Sequence, residues 1–260
     1  MVTLDGKPVS ADDLFPLALT NLGHFTSMRV EADGTIRGLS LHMERLVRDC
    51  EAVFGTGLDT GRVRDFVRQG LGGQDLPCVV RVTVYDPSMD LGHLADAVEP
   101  HVLVSVRAAG TRSPAPLRAM SVTYERDLPR VKHVGLLGSL HARRTAQLAG
   151  YGDALFVGRD GCVSEGSTWN VGFVERDGTV VWPQADVLPG VTTALLQERA
   201  EHRIAPVTLE QAKSMDAAFA TNTSVGVRPL AAINRAEPAT EHLVLSRLNE
   251  TYLSIAGETL

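Results

Sequence analysis

The stretch that decides the fold runs from Val131 to Phe173 and reads VKHVGLLGSLHARRTAQLAGYGDALFVGRDGCVSEGSTWNVGF. It opens on Lys132, which with Lys7 and Lys213 makes the only three lysines among 25 cationic side chains. A chain this biased toward arginine keeps lysine where a guanidinium does not serve, above all in nucleophilic amine chemistry. A desolvated amine can shed its proton and form a Schiff base, whereas an arginine stays charged. Behind the lysine the sequence predicts a helix ending near Gly150, then four short β-like pieces. These are punctuated by Arg159-Asp160-Gly161 and Arg176-Asp177-Gly178, the turn chemistry of two consecutive hairpins. Glu165 falls in one of these hairpins among apolar neighbours.

Downstream, Pro189-Gly190 opens a helix over 191–202, a strand-like run covers 217–233, and an amphipathic helix closes the chain. The strand 119–125 leads to Lys132 through Asp127-Leu128-Pro129-Arg130. Before it, residues 108–117 (AAGTRSPAPL) are small, polar and proline-bearing, and they read as a boundary. The expected domains are 1–110, a linker over 111–117, and 118–260. In the first of these, a strand, a turn at Asp5-Gly6-Lys7-Pro8 and a short helix opened by Ser10 precede a hairpin. Its strands are Phe25 to Glu31 and Thr35 to Gly38, joined at Asp33-Gly34. From Ser40, read as a capping serine, Met43, Leu46, Val47, Cys50, Val53 and Phe54 recur at helical spacing up to Gly55. A second helix covers 61–70, and strands at 78–85 and 101–107 flank a loop over 86–100.

The bulk numbers fit a globular chain, with 44% hydrophobic and 22% charged residues, and no apolar run nears the roughly 18 needed to span a bilayer. The N-terminus has neither the basic flank nor the apolar stretch of a signal peptide. Cys50, Cys78 and Cys162 are odd in number and lack metal-knuckle spacing, so they read as thiols of a reducing, cytoplasmic compartment, and no metal is expected. A net charge of -6 with scattered arginines argues against nucleic acid and for a small-molecule partner.

Lys132, the pair Gly150-Tyr151, and Glu165-Gly166-Ser167-Thr168-Trp169-Asn170 together closely resemble the core of the class IV aminotransferases, pyridoxal-phosphate enzymes of fold type IV. That family includes D-amino acid and branched-chain aminotransferases and aminodeoxychorismate lyase. The resemblance implies a two-domain α/β (α+β) fold, with a smaller N-terminal α/β domain and a larger C-terminal α/β pseudo-barrel that binds pyridoxal 5'-phosphate (PLP). It also implies a homodimer whose partner lends walls to the pocket. Lys132 would be the catalytic amine and bear the Schiff base, and Glu165 would keep the cofactor's ring nitrogen protonated. The phosphate cup maps onto Val191 and Thr192, at a helix N-terminus that offers backbone N–H groups and a hydroxyl. Asn222 and Thr223 lie where the family keeps a second polar cluster. Arg45 matches the arginine that the first domain contributes to the phosphate, although helical periodicity sets it opposite the apolar face.

Phe25, Ser27 and Arg29 alternate on one strand face, at positions that line the substrate pocket in the family, and Arg29 is of a kind that binds a carboxylate bidentately. Here the chain departs from its relatives. Asn21-Leu22-Gly23-His24-Phe25-Thr26 stands where many carry Gly-Asp-Gly-x-Phe-Glu, residue 135 is glycine rather than asparagine, and the arginine-bearing carboxylate traps of well-known members are not evident in Arg81 to Asp86. The activity that the resemblance implies is transamination between amino acids and keto acids. Elimination of pyruvate from aminodeoxychorismate to leave 4-aminobenzoate is the alternative, and a binding module without catalysis is a third reading, disfavoured by the presence of both Lys132 and Glu165.

Overall fold

A computed structural model of the protein describes residues 1–260 and divides them into two compact units. The first comprises Met1–Gly110, Val131–Gly135 and Gly257–Leu260, and the second Thr111–Arg130 and Leu136–Ala256. The short segment that carries Lys132 thus belongs to the first unit, although the sequence boundary places it with the residues that follow.

The first unit begins with β1 (Val2–Leu4), β2 (Lys7–Pro8) and α1 (Ala11–Thr20), whose Ser10 and Asp13 form the reciprocal cap that starts a helix firmly. Next come β3 (His24–Val30), α2 (Leu39–Phe54), α3 (Thr60–Leu71), β4 (Cys78–Tyr85) and β5 (His101–Ala108). They make a five-stranded sheet in the order β2-β1-β5-β4-β3, antiparallel throughout. Alternation along β3 sends Met28 and Val30 into a core with Leu39, Met43, Leu46 and Cys50 of α2 and Val63 and Val67 of α3. That core fixes one sheet face against two helices.

Two local expectations fail here. Residues 35–38 do not form the second arm of a hairpin; β3 pairs with β4 along its whole length, and Ile36 makes only isolated bridges to Val30 and Glu258. Nor does Ser40 cap α2. The helix starts a residue earlier after Gly38, at φ +70°, and the Ser40 amide and hydroxyl bond the Glu258 carboxylate. In both cases a chain terminus supplies a partner that no local window contains.

In the second unit, β6 (Leu117–Thr123) is followed by α4 (Leu137–Leu148), β7 (Asp153–Val157), β8 (Val163–Gly166), β9 (Asn170–Val174) and β10 (Val180–Pro183). The β7–β8 and β9–β10 pairs are antiparallel around the two Arg-Asp-Gly turns. Then come α5 (Val191–Gln197), β11 (His202–Ala205), α6 (Leu209–Ser214), β12 (Ala217–Asn222), β13 (Gly226–Ile233) and α7 (Leu243–Ser254). The helix expected over 191–202 ends at Gln197, and the strand-like run 217–233 is two strands joined by a turn.

Strands β9-β12-β13-β6-β7-β8 pair in that order and β8 returns to β9, closing a six-stranded barrel, while β10 and β11 extend outward from β9. Closure removes the unpaired edges that an open sheet would leave. The tip of the Phe219 ring reaches over Gly172, its cross-strand partner, where a Cβ would meet the ring at 2.3 Å. Only glycine lets the strand pass so close. The fold is thus mixed α/β with a barrel in the second unit, as the resemblance implies.

Candidate active site

Lys132 is held by its backbone. The segment 131–135 lies along the outer edge of β3, where the Phe25 N–H donates to the Lys132 carbonyl at 2.8 Å, the Val134 N–H donates to Gly23 at 2.9 Å, and His24 and His133 form a bridge. The remaining polar group of the Lys132 main chain, its N–H, donates to Asp49 Oδ2 at 2.8 Å. The side chain then reaches over Phe25, with Nζ 4.9 Å from the ring centroid. The guanidinium of Arg81 stacks on the same ring at 3.6 Å. Cross-strand pairing explains this, since Phe25 faces Thr83 and Ser27 faces Arg81 on adjacent strands. Arg81 Nε donates to Thr83 Oγ1 at 3.2 Å, and burial lowers the guanidinium pKa from its ordinary value.

Helix α2 brings a second polar stripe to this place. His42, Arg45 and Asp49, spaced three and four residues apart, are all buried, and they lie beside Leu39 and Leu46 rather than in solvent. Arg45 is only 5% exposed, which corrects its placement opposite the apolar face. The helix is covered on both stripes: Thr26 Oγ1 of β3 meets His42 Nδ1 at 2.6 Å, and Asp49 holds the Lys132 segment. Burial pushes the Arg45 guanidinium down to about 10, with Asp49 opposing the shift and Arg48 adding to it. His42 is held well below the ordinary imidazole range by burial and by the charges of Arg45 and Lys132, and His24 is pushed down to about 4 by burial against the opposing pull of Asp49.

In the second unit the centre is Glu165, 3% exposed at the end of β8. Arg126 Nη1 donates to its Oε1 at 3.3 Å, and the Leu188 N–H donates to Oε2, also at 3.3 Å. Asn170 Nδ2 lies 3.5 Å from Oε2 and donates more closely, at 2.9 Å, to the Leu188 carbonyl. The hairpin that carries Glu165 is tight because the Trp169 indole packs on Gly166, where a Cβ would come within 1.9 Å, and because the Trp169 N–H and the Ser167 hydroxyl both donate to Asp153. A carboxylate in such surroundings is a fixed negative charge aimed by its neighbours.

The phosphate candidates lie on the elements the sequence assigns. Val191 and Thr192 form the first turn of α5, ahead of its first intrahelical bond from Ala194 N–H to Gly190. Thr192 Oγ1 is buried with no hydrogen-bond partner in the protein. An orphaned buried hydroxyl is costly and marks a place where a ligand acceptor fits. Asn222 Oδ1 is occupied by the Ser224 and Val225 amides and shapes the β12–β13 turn, in which Thr223 sits half-buried. Each unit by itself offers groups of the kinds PLP calls for, an amine in the first and a buried carboxylate with hydroxyl and amide donors in the second.

Among the substrate candidates, Phe25 and Ser27 share the sheet face with Arg81. Arg29 Nη1 donates to the Gly110 carbonyl at 2.9 Å and its Nε lies 3.5 Å from Glu31, so its charge is already balanced within the unit. Sequence reasoning missed Arg81, Asp49 and Arg126. Nothing local distinguishes any of the three; each acquires its role from a partner on another element.

The amino-transferase class IV family matches residues 23–233. A probable branched-chain-amino-acid aminotransferase of Rickettsia felis is 30% identical over 129 residues, a match that covers 46% of this chain and 44% of that relative. Among solved structures, the branched-chain aminotransferase from Thermoproteus uzoniensis aligns with a TM-score of 0.83 at 24% identity, covering 97% of this chain and 93% of that one. A putative 4-amino-4-deoxychorismate lyase from Legionella pneumophila aligns at 0.82 with 20% identity, covering 96% of each chain. The chain belongs to the class IV aminotransferases, a family of PLP enzymes.

Proposed function

We propose that this protein transfers amino groups between amino acids and keto acids, with Lys132 as its catalytic amine. The carrying observation is the pair of cations on one ring: Lys132 Nζ and the Arg81 guanidinium both lie over Phe25. An amine that exchanges with substrate and a guanidinium able to fork onto a carboxylate are the two groups that recognition of an amino acid asks for. PLP, when bound, supplies an aldehyde that condenses with amines and a ring that takes up the electron pair left when the substrate Cα–H is broken. Lys132 Nζ would take the proton from the substrate Cα and deliver it to the carbon that bore the aldehyde, the transfer that leaves a keto acid. Glu165 would accept a hydrogen bond from the cofactor's ring nitrogen and so favour its protonated form, with Arg126 and the Leu188 amide holding the carboxylate still. The Thr192 hydroxyl, the Val191 and Thr192 amides and, as the resemblance implies, the Arg45 guanidinium would hold phosphate oxygens, with Asn222 and Thr223 shaping the turn after β12. Phe25 excludes water from the amine, Arg81 takes a substrate carboxylate, and Ser27 and Arg29 complete that face.

We further infer a cytoplasmic homodimer. The buried unpaired thiols of Cys50 and Cys78 suit a reducing compartment, and on α4 Leu137 and Leu148, three turns apart, are 83% and 72% exposed, an apolar stripe that a second copy would cover. Sedimentation at micromolar concentration checks the dimer. For the activity, purified protein supplemented with PLP is titrated with single L- and D-amino acids. Conversion of the cofactor to its amine form is the expected result. Pyruvate release from aminodeoxychorismate without that conversion would establish the lyase instead.

A further inference from the structure

The main chain of Lys132 has two hydrogen-bonding groups and both are engaged inside the first unit, but by partners of different kinds. Its carbonyl is taken by a strand neighbour, the Phe25 amide, in an ordinary ladder contact. Its N–H is taken by a side chain, the carboxylate of Asp49, from a helix that is not part of the sheet. Asp49 is fully buried, and its other oxygen, Oδ1, accepts from Arg48 Nε at 3.0 Å and Nη2 at 2.7 Å. Each oxygen is therefore directed, one by a guanidinium fork and one by the lysine amide. An ionised carboxylate accepts only, so the geometry cannot be reversed by a flip, as a side-chain amide could be. The same helix carries Arg45 one turn earlier on the same stripe. Asp49 thus ties the backbone from which the amine projects to the helix that presents the phosphate-binding candidate.

We propose that Asp49 is a positioning residue for the amine of Lys132: it fixes the lysine backbone against α2 through the Oδ2–amide hydrogen bond and so sets where Nζ stands over Phe25. This rests on the reading of Lys132 as the catalytic amine. Removing the acceptor takes away the tie between the Lys132 amide and α2, while the contacts of the Lys132 carbonyl with Phe25 and of the Val134 amide with Gly23 remain. A shift of order 1 Å in a reacting group is enough to slow a reaction about a hundredfold while leaving binding by other groups intact.

The test compares Asp49→Ala with Asp49→Asn. The asparagine keeps an oxygen for the Lys132 amide and loses the charge; the alanine loses both. In Asp49→Ala, kcat is expected to fall by about thirtyfold to a hundredfold with KM changed by less than about threefold, and Asp49→Asn is expected to recover kcat to within about fivefold of the parent protein. The second readout uses the protein without PLP. Amide hydrogen exchange at Lys132 should accelerate by at least about tenfold in Asp49→Ala, with exchange in β12 unchanged. Unchanged exchange at Lys132 in Asp49→Ala overturns the proposal, as does an asparagine variant as slow as the alanine one, which would assign the effect to charge. If Asp49→Ala does not fold, the asparagine comparison and its Lys132 exchange rate decide alone, with exchange as in the parent required. Failure of the Lys132 reading shows separately, as the absence of cofactor fixed at Lys132 by borohydride in the parent protein, and leaves the exchange result standing.

Discussion

The surroundings of Lys132 and those of Glu165 solve opposite electrostatic problems by different means. Around Lys132 the first unit gathers cations, with Arg45 and Arg81 close by and two histidines kept from charging, and it offsets them with one buried carboxylate, Asp49. Around Glu165 the second unit surrounds a single anion with an arginine, a backbone amide and a side-chain amide. The first solution reaches far along the chain, for Asp49 lies 83 residues from Lys132. The second is more local, with Asn170 five residues from Glu165 and Leu188 twenty-three. The carboxylate is held partly by its own hairpin and partly by Arg126 and Leu188 beyond it; the amine is held by a helix far along the chain.

The strongest way to break the comparison is Lys132→Ala. It should abolish borohydride-stable cofactor attachment and lower turnover by on the order of a thousandfold or more, checked by mass spectrometry and steady-state assay. Next is Glu165→Gln, which keeps the size of the side chain but removes the charge and turns one of the two acceptors facing Arg126 and the Leu188 amide into a donor. Turnover is expected to fall roughly a hundredfold with attachment at Lys132 intact, so that absorbance persists while kcat drops.

A pH series sharpens the contrast, because only the lysine side carries buried histidines. His24, neutral in the folded state with its pKa pushed down to about 4, binds a proton more readily when the chain unfolds. Its contribution to stability is therefore complete above the unfolded value near 6.5 and is lost as pH falls toward 4, amounting to about 3 kcal/mol for this group, with His42 acting in the same direction. Urea unfolding of His24→Leu between pH 4 and 7 should show a shallower slope, by close to one proton.

The smallest effect is expected at Thr192→Val. Replacing an orphaned buried hydroxyl with a methyl should stabilise the protein without PLP by about 1 kcal/mol yet weaken PLP binding about tenfold, read by thermal melting and by equilibrium titration. A variant that binds PLP as tightly as the parent protein would remove Thr192 from the phosphate cup.

Legibility in the sequence follows the same divide. Lys132, Gly150-Tyr151 and the Glu165 to Asn170 motif could be read because a lone lysine, a glycine pair and a hairpin carry their chemistry within a few residues. The Arg-Asp-Gly turns and the helical period of α2 are equally local, and the strands and helix stand where those signals place them. Arg45 was identified by its motif but misplaced, since periodicity expects one buried stripe and α2 has two. Arg81 reads as an ordinary strand arginine until β3 brings Phe25 beneath it.

The amino-acid sequence alone determined most of the elements, the family and the chemical identity of the amine and carboxylate, because backbone period, turn chemistry and motif spacing act over short distances and need no tertiary partner. Only the tertiary structure decided what holds each of them in place. Hydrogen bonds such as that from the Lys132 amide to Asp49 form between residues that neighbouring sequence does not link, and burial then settles which nearby groups keep their charge.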